Sequence, residues 1–144
     1  MIEIEKDRMI ETFLDLVSID SPSHEEREIA ERLMNKLKNL GGEVLMDQAG
    51  EQVGSNAGNI LARFPGTGQG RPLLLSAHMD TVMPGRGIKP IREKDRIRTD
   101  GSTILGADDK SGMAIILEAL TVLQERKLPH PPIPALSRTS GPGR

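Results

Sequence analysis

Two short stretches of the chain concentrate the residue types that bind metals or move protons. The first is His78-Met79-Asp80, directly after the apolar run Leu73-Leu74-Leu75-Ser76-Ala77. His78 and Asp80 are two apart, so their side chains share a face if the strand persists. A carboxylate in that position accepts one imidazole N–H, fixes the tautomer and leaves the other nitrogen free for a metal. Standing alone, an H-x-D is more often a strand-end histidine bonded to nearby backbone. The second stretch is Gly106-Ala107-Asp108-Asp109-Lys110-Ser111-Gly112, at the mouth of a long apolar helix. Adjacent carboxylates at a helix N-terminus either cap free N–H groups and favour the positive end of the dipole, or ligate metal. In the latter role, hard oxygens can bridge two divalent ions of a hydrolytic site. Taken alone, capping is the commoner explanation. Taken with His78 and Asp80 at a strand end, where ligands of open α/β sheets gather, a shared metal site is the better reading.

The remaining polar motifs carry less. His24 stands beside two glutamates inside a helix start and reads as solvated. His130 precedes two prolines and reads as a loop residue. Thr99-Asp100-Gly101 reads as a turn near the rim of the aspartate motif. Residues 65–72 (PGTGQGRP) hold three glycines, but no helix pattern follows them, so a plain turn is expected rather than a phosphate cradle.

The elements that must position these residues follow from periodicity. Residues 5–18 place Met9, Ile10, Phe13, Leu14, Leu16 and Val17 on one side of a helix. After the turn SIDSPS, Ser23 and Glu26 have the spacing of a capping box. The helix that follows carries Ile29, Ala30, Leu33, Met34, Leu37 and Leu40 and ends at Gly41-Gly42. Strands are expected at 43–47, 59–64 and 73–77, the last a continuous apolar run of the kind buried on both faces of a parallel sheet. Residues 48–58 read as loop, and a short hairpin is expected around Ile91 and Ile97. From about Lys110 to Arg126 the pattern is apolar almost all round, which places that helix deep inside a larger body. Helices and strands alternate, so the class is α/β with a largely parallel sheet.

Composition narrows the function. The chain has 144 residues, one domain's worth, with 36% apolar and 28% charged residues and a net charge of −2. That balance gives no reason to expect nucleic acid or an anionic membrane as partner. The absence of Cys removes disulfides, thiolate zinc sites and cysteine nucleophiles. Phe13 and Phe64 are the only aromatics, too few for a base-stacking surface. The N-terminus MIEIEKDR has no apolar targeting region, and no run approaches a membrane span. A cytoplasmic location is the expectation.

The stretch Ser76-Ala77-His78-Met79-Asp80-Thr81-Val82, followed by residues 99–112 (TDGSTILGADDKSG), resembles peptidase T and its close relatives. These are dinuclear-zinc exopeptidases in the superfamily of acetylornithine deacetylase, succinyl-diaminopimelate desuccinylase and carboxypeptidase G. The SIDSPSHEE turn and the AGNILARFPG strand are similar as well, and the likeness covers about residues 5–133. The resemblance implies that His78 ligates one zinc, that Asp80 orients that histidine and counts as catalytic, and that Asp108 bridges both metals. Asp109 and Lys110 belong to the motif without ligating. It implies two zinc ions, with cobalt or manganese as substitutes. The implied reaction is hydrolysis of short peptides by attack of a metal-bound hydroxide on a carbonyl polarised by the second metal.

The family pattern continues with a strand ending in two adjacent glutamates, a general base and a ligand, then a further acid, a last histidine and an inserted lid or dimerisation domain. None of these is found before Arg144, and Glu25-Glu26 lies in a helix start. Residues 1–133 are therefore expected to be the N-terminal portion of a catalytic domain. Residues 134–144 are expected to be an atypical, non-native or disordered tail, because Pro134 lacks the donor a central strand needs. On this reading the chain alone is inactive, binds zinc weakly and self-associates through uncovered apolar surface, with a homodimer possible for the full-length enzyme. A non-catalytic peptide- or metal-binding fragment, and a related N-acyl amino acid deacylase or carboxypeptidase, are the alternatives.

Overall fold

In the computed structural model, which describes residues 3–141, the first apolar stripe becomes helix α1 (Lys6–Val17) and the second becomes α2 (Arg27–Asn39). Leu16 and Val17 of α1 and Ile29, Ala30, Leu33 and Leu37 of α2 are buried, as their spacing requires. The chain leaves α2 through Gly41 at φ +82°, a left-handed conformation that glycine adopts without a Cβ penalty. Strand β1 (Glu43–Met46), the short helix α3 (Ala49–Val53) and strand β2 (Ile60–Phe64) follow. Next come β3 (Leu75–His78) and the hairpin of β4 (Ile91–Arg92) and β5 (Ile97–Arg98). Helix α4 (Ala107–Glu125) and strand β6 (Ile133–Arg138) complete the fold.

Four strands form one sheet in the order β1-β2-β6-β3. The α/β class and the sheet flanked by helices stand, but the sense of the strands differs from the largely parallel expectation. β1–β2 and β2–β6 are antiparallel, and only β3–β6 is parallel. Connections explain this. α4 carries the chain from β3 to β6 as a helical crossover, which returns the second strand in the same sense, whereas the short link through α3 reverses β2 against β1.

The register sorts the two faces. Val44, Ala62, Ala135 and Leu75 stand in one row across the sheet and join a core cluster that includes Leu33, Leu37, Met113 and Leu117 from the helices. One residue along, Leu45, Leu61, Leu136 and Ser76 form the row on the opposite face, where Leu45 and Leu61 are exposed. α4 packs on β3 and α1 lies against α4. Across that contact Arg8 donates to both carboxylate oxygens of the buried Glu118, at 2.8 and 2.9 Å.

Four expectations need correction. Residues 134–141 are not a disordered tail: Ile133–Arg138 form β6 between β2 and β3, and Thr139 and Ser140 are buried. Residues 142–144 of the expected tail lie outside the described residues. Pro134 is accommodated because the regular parallel register begins at Leu75 opposite Ala135, and the contact ahead of it, Leu73 N–H to the Pro132 carbonyl, needs no donor from Pro134. Leu73 and Leu74 are exposed and precede β3 rather than lying in a doubly buried strand. Residues 49–53, inside the segment expected as loop, form the short helix α3. Finally, Ser23 and Glu26 do not form a capping box, since both are committed to distant partners. Glu26 is fully buried and accepts bonds from Ser55 Oγ and from the backbone N–H and hydroxyl of Ser140. Burial pushes its carboxyl pKa upward, but those bonds outweigh burial and hold it below the ordinary range. Among the described residues no helix is long and apolar enough to cross a membrane.

Candidate active site

Three segments meet at the carboxyl end of β3. The first is the strand end itself, His78 to Thr81; the second is the start of α4; the third is the 18–23 turn between α1 and α2. His78 is the last residue of β3, and its side chain is largely enclosed. Its Nδ1 lies 3.0 Å from the Asp80 carbonyl oxygen and 3.1 Å from Asp80 Oδ1. Both neighbours are acceptors only, so Nδ1 carries the proton and donates it to Asp80. Nε2 faces Asp108 Oδ1 at 3.0 Å. A nitrogen lone pair against a carboxylate oxygen at that distance is repulsive unless a cation lies with them, either a proton or a metal ion.

The two aspartates at the helix mouth divide the alternatives that their sequence leaves open. Asp108 and Asp109 have non-helical backbone, joined by a cis peptide, so the regular helix begins at Lys110. Asp109 Oδ1 accepts the Gly112 N–H at 3.1 Å, as an N-cap carboxylate does. Asp108 makes no such bond and points its almost fully exposed carboxylate toward His78. Gly106 turns the chain into this segment at φ +70°.

The sequence marks the third segment as a turn with Ser23 in a capping box, and the structure makes it part of the site. Ser23 Oγ donates to Asp80 Oδ2 at 2.8 Å. Pro22 forms a parallel bridge with Thr81, and Thr81 donates both its N–H (2.8 Å) and its hydroxyl (3.2 Å) to the Ser21 carbonyl. Gly87 N–H reaches Asp20 Oδ1 at 2.8 Å. The buried Lys110 Nζ donates to the Ile19 carbonyl at 2.6 Å. The only sequence signal for these contacts is a Ser- and Asp-rich turn that offers more polar side chains than its own backbone can use.

Other residues singled out from sequence fall elsewhere. His24 is outside α2, at φ +73°, and its N–H bonds Ser140 Oγ. His130 precedes β6 and so lies at the opposite end of the parallel pair from His78; its Nδ1 bonds the Pro131 carbonyl. Thr99 and Asp100 close their own turn on Thr103, Gly101 and Ser102, and Ile104 N–H ties that turn to the Pro84 carbonyl beyond Asp80.

The donor set fits the metal implied by the resemblance in kind but not in number. An imidazole nitrogen and a carboxylate oxygen of opposed lone pairs match the kind of donors zinc takes. Their number falls short, for zinc takes about four, and among the described residues no group of three or more His, Cys, Asp or Glu is placed to hold one ion. His78 and Asp108 therefore fit as part of a metal centre.

Comparison with known proteins places the chain in a family. The model of peptidase family M28 matches residues 59–135, which include β2, β3, the whole His78–Asp108 constellation, α4 and the first part of β6. An uncharacterized Bacillus subtilis protein, YqjE, is 43% identical over 127 residues, covering 88% of this chain and 34% of its own length. Two solved structures superpose with a TM-score of 0.89 at 41% identity: a Staphylococcus aureus tripeptidase and the aminopeptidase PepT of Bacillus cereus. Each is matched over 93% of this chain and 36% of its own length. The chain thus spans about a third of the length of the relatives it matches. It belongs to peptidase family M28 and is a peptidase T-like member of the zinc-exopeptidase superfamily.

Proposed function

We propose that this chain contributes the histidine side of the catalytic centre of a metal-dependent exopeptidase, one that removes the terminal residue of short peptides as a tripeptide aminopeptidase does. The observation that carries the reading is His78 held between two carboxylates, with Nδ1 on Asp80 and Nε2 on Asp108. In this reading His78 and Asp108 donate to a divalent ion, zinc in the first instance with cobalt or manganese as substitutes. Such an ion supplies Lewis-acid polarisation of the scissile carbonyl. Asp80 keeps the Nδ1 proton in place, so the Nε2 lone pair stays aimed out of the strand end. Asp109 closes the helix and stays out of the centre.

Two donors hold an ion weakly, so the expected zinc affinity of the 144-residue chain is weaker than roughly micromolar, and peptide turnover by it alone is expected to be negligible. Titration calorimetry of the chain and of His78→Ala and Asp108→Ala tests the site. Weak binding lost in both variants supports it, and binding indifferent to both overturns it. Activity is tested by a chimera in which residues 3–133 replace the matching segment of the Staphylococcus aureus tripeptidase. Tripeptide hydrolysis lost on His78→Ala supports the reading; hydrolysis surviving that change overturns it.

A further inference from the structure

We propose that Ser23 is a positioning residue of this site, setting which oxygen of Asp80 faces His78. The proposal rests on the reading of His78 as a metal donor and concerns how that donor is held. The carboxylate of Asp80 has two oxygens and two partners. Oδ2 accepts the Ser23 hydroxyl at 2.8 Å, and Oδ1 accepts the His78 Nδ1–H at 3.1 Å. Because Asp80 is almost fully buried, rotation of its carboxylate is the motion by which the Oδ1 contact to the His78 Nδ1–H would be lost, leaving the Asp80 carbonyl oxygen at 3.0 Å as its other acceptor. A hydroxyl fixed on the far oxygen opposes that rotation. Ser23 itself is exposed, so water could offer the same hydrogen bond. The difference is that Ser23 is held in advance. Pro22 bridges Thr81, and two Thr81 donors grip Ser21, so the backbone on one side of Ser23 is fixed to the residue following Asp80. A donor whose position is already determined loses little freedom on bonding, whereas a water must be immobilised. The result is a chain of three contacts, Ser23 to Asp80 to His78 to Asp108, that joins the turn, the strand end and the helix mouth.

The test uses the 144-residue chain, with Ser23→Ala removing the hydroxyl and Ser23→Thr retaining it. The primary readout is the exchange with water of the His78 Nδ1–H proton, followed by NMR on ¹⁵N-labelled protein. Ser23→Ala is expected to speed that exchange about ten-fold, with Ser23→Thr close to the parent chain. Zinc affinity is expected to fall about five-fold in Ser23→Ala, below the roughly 10–100-fold range for direct partners of metal ligands. Urea midpoints of all three proteins separate positioning from general stability. Unchanged Nδ1–H exchange in Ser23→Ala, or equal acceleration in both variants, overturns the proposal, whatever happens to the midpoint. If the parent chain binds no zinc yet Ser23→Ala alone speeds exchange, the metal reading fails and the positioning role stands. If zinc binds through His78 and exchange is unmoved, the reverse holds.

Discussion

Lys110 sends its ammonium into the protein interior to the carbonyl of Ile19, 2.6 Å away and 91 positions earlier in the sequence. Burial pushes the Lys110 pKa down to about 8, against the opposing pull of the Asp20 charge. Between that value and the ordinary 10.5 the unfolded chain holds a proton that the folded chain has released. Stability contributed by this group therefore rises with pH across that window, and the penalty for a buried charge is complete below it. Thermal melts of the parent chain and Lys110→Met at about pH 7 and pH 10 check this. The parent is expected to gain on the variant as pH rises, and a constant difference would count against it.

Arg8 and Glu118 predict an asymmetric pair of substitutions. Glu118 is buried, while Arg8 is one-third exposed and also reaches Glu125 at 2.8 Å. The guanidinium holds the Glu118 carboxyl below its ordinary pKa, with burial opposing. Arg8→Ala leaves a buried carboxylate uncompensated and is expected to cost about 2–4 kcal/mol in urea unfolding. Glu118→Gln keeps the shape, abandons no buried charge and should cost clearly less. Equal losses would mean that desolvation of Glu118 is not the governing effect.

The separate duties of the two adjacent aspartates are testable by comparing them. Asp109→Ala removes the bond to the Gly112 N–H and should cost about 1 kcal/mol of stability with zinc affinity unchanged. Asp108→Ala should do the opposite, since its exposed carboxylate caps nothing and faces His78. A zinc titration and a melting curve on each variant decide the matter. Loss of zinc binding in Asp109→Ala would reverse the assignment.

The row of Leu45, Leu61 and Leu136 lies across three strands on the face away from the core cluster. Aligned aliphatic side chains on an open sheet favour association with another apolar surface. Sedimentation velocity is expected to show concentration-dependent self-association of the parent chain. Leu61→Lys should reduce it without lowering the melting temperature by more than a few degrees. Association unaffected by that charge would place the contact elsewhere.

Much of the fold is legible from periodicity. α1, α2 and β2 occupy the segments their apolar spacing marks, and the hairpin forms around Ile91 and Ile97. Single-residue patterns fail where a side chain is claimed from far away. Ser23 and Glu26 have the spacing of a local cap, yet they serve Asp80 and Ser140 at separations of 57 and 114 residues. α3 is only five residues long and too polar to show a stripe. Pro134 argues against a central strand until the register shows that its parallel partner begins after it. At the site, His78, Asp80 and Asp108 are recognisable by type and spacing. The contribution of the 18–23 turn is not, because a turn sequence does not reveal which strand end it covers.

The placement of β6 also governs when these parts can come together. Among the described residues, β3 pairs with the sheet only through β6, the last described strand in sequence. Until residues 133–138 are in place, the β1–β2 pair and the segment bearing His78 share no strand pairing. Joining them closes a loop from Phe64 to Ile133, a distant closure of the kind that slows folding. During synthesis, the histidine's strand therefore waits for residues 133–138 before it has an edge to bind.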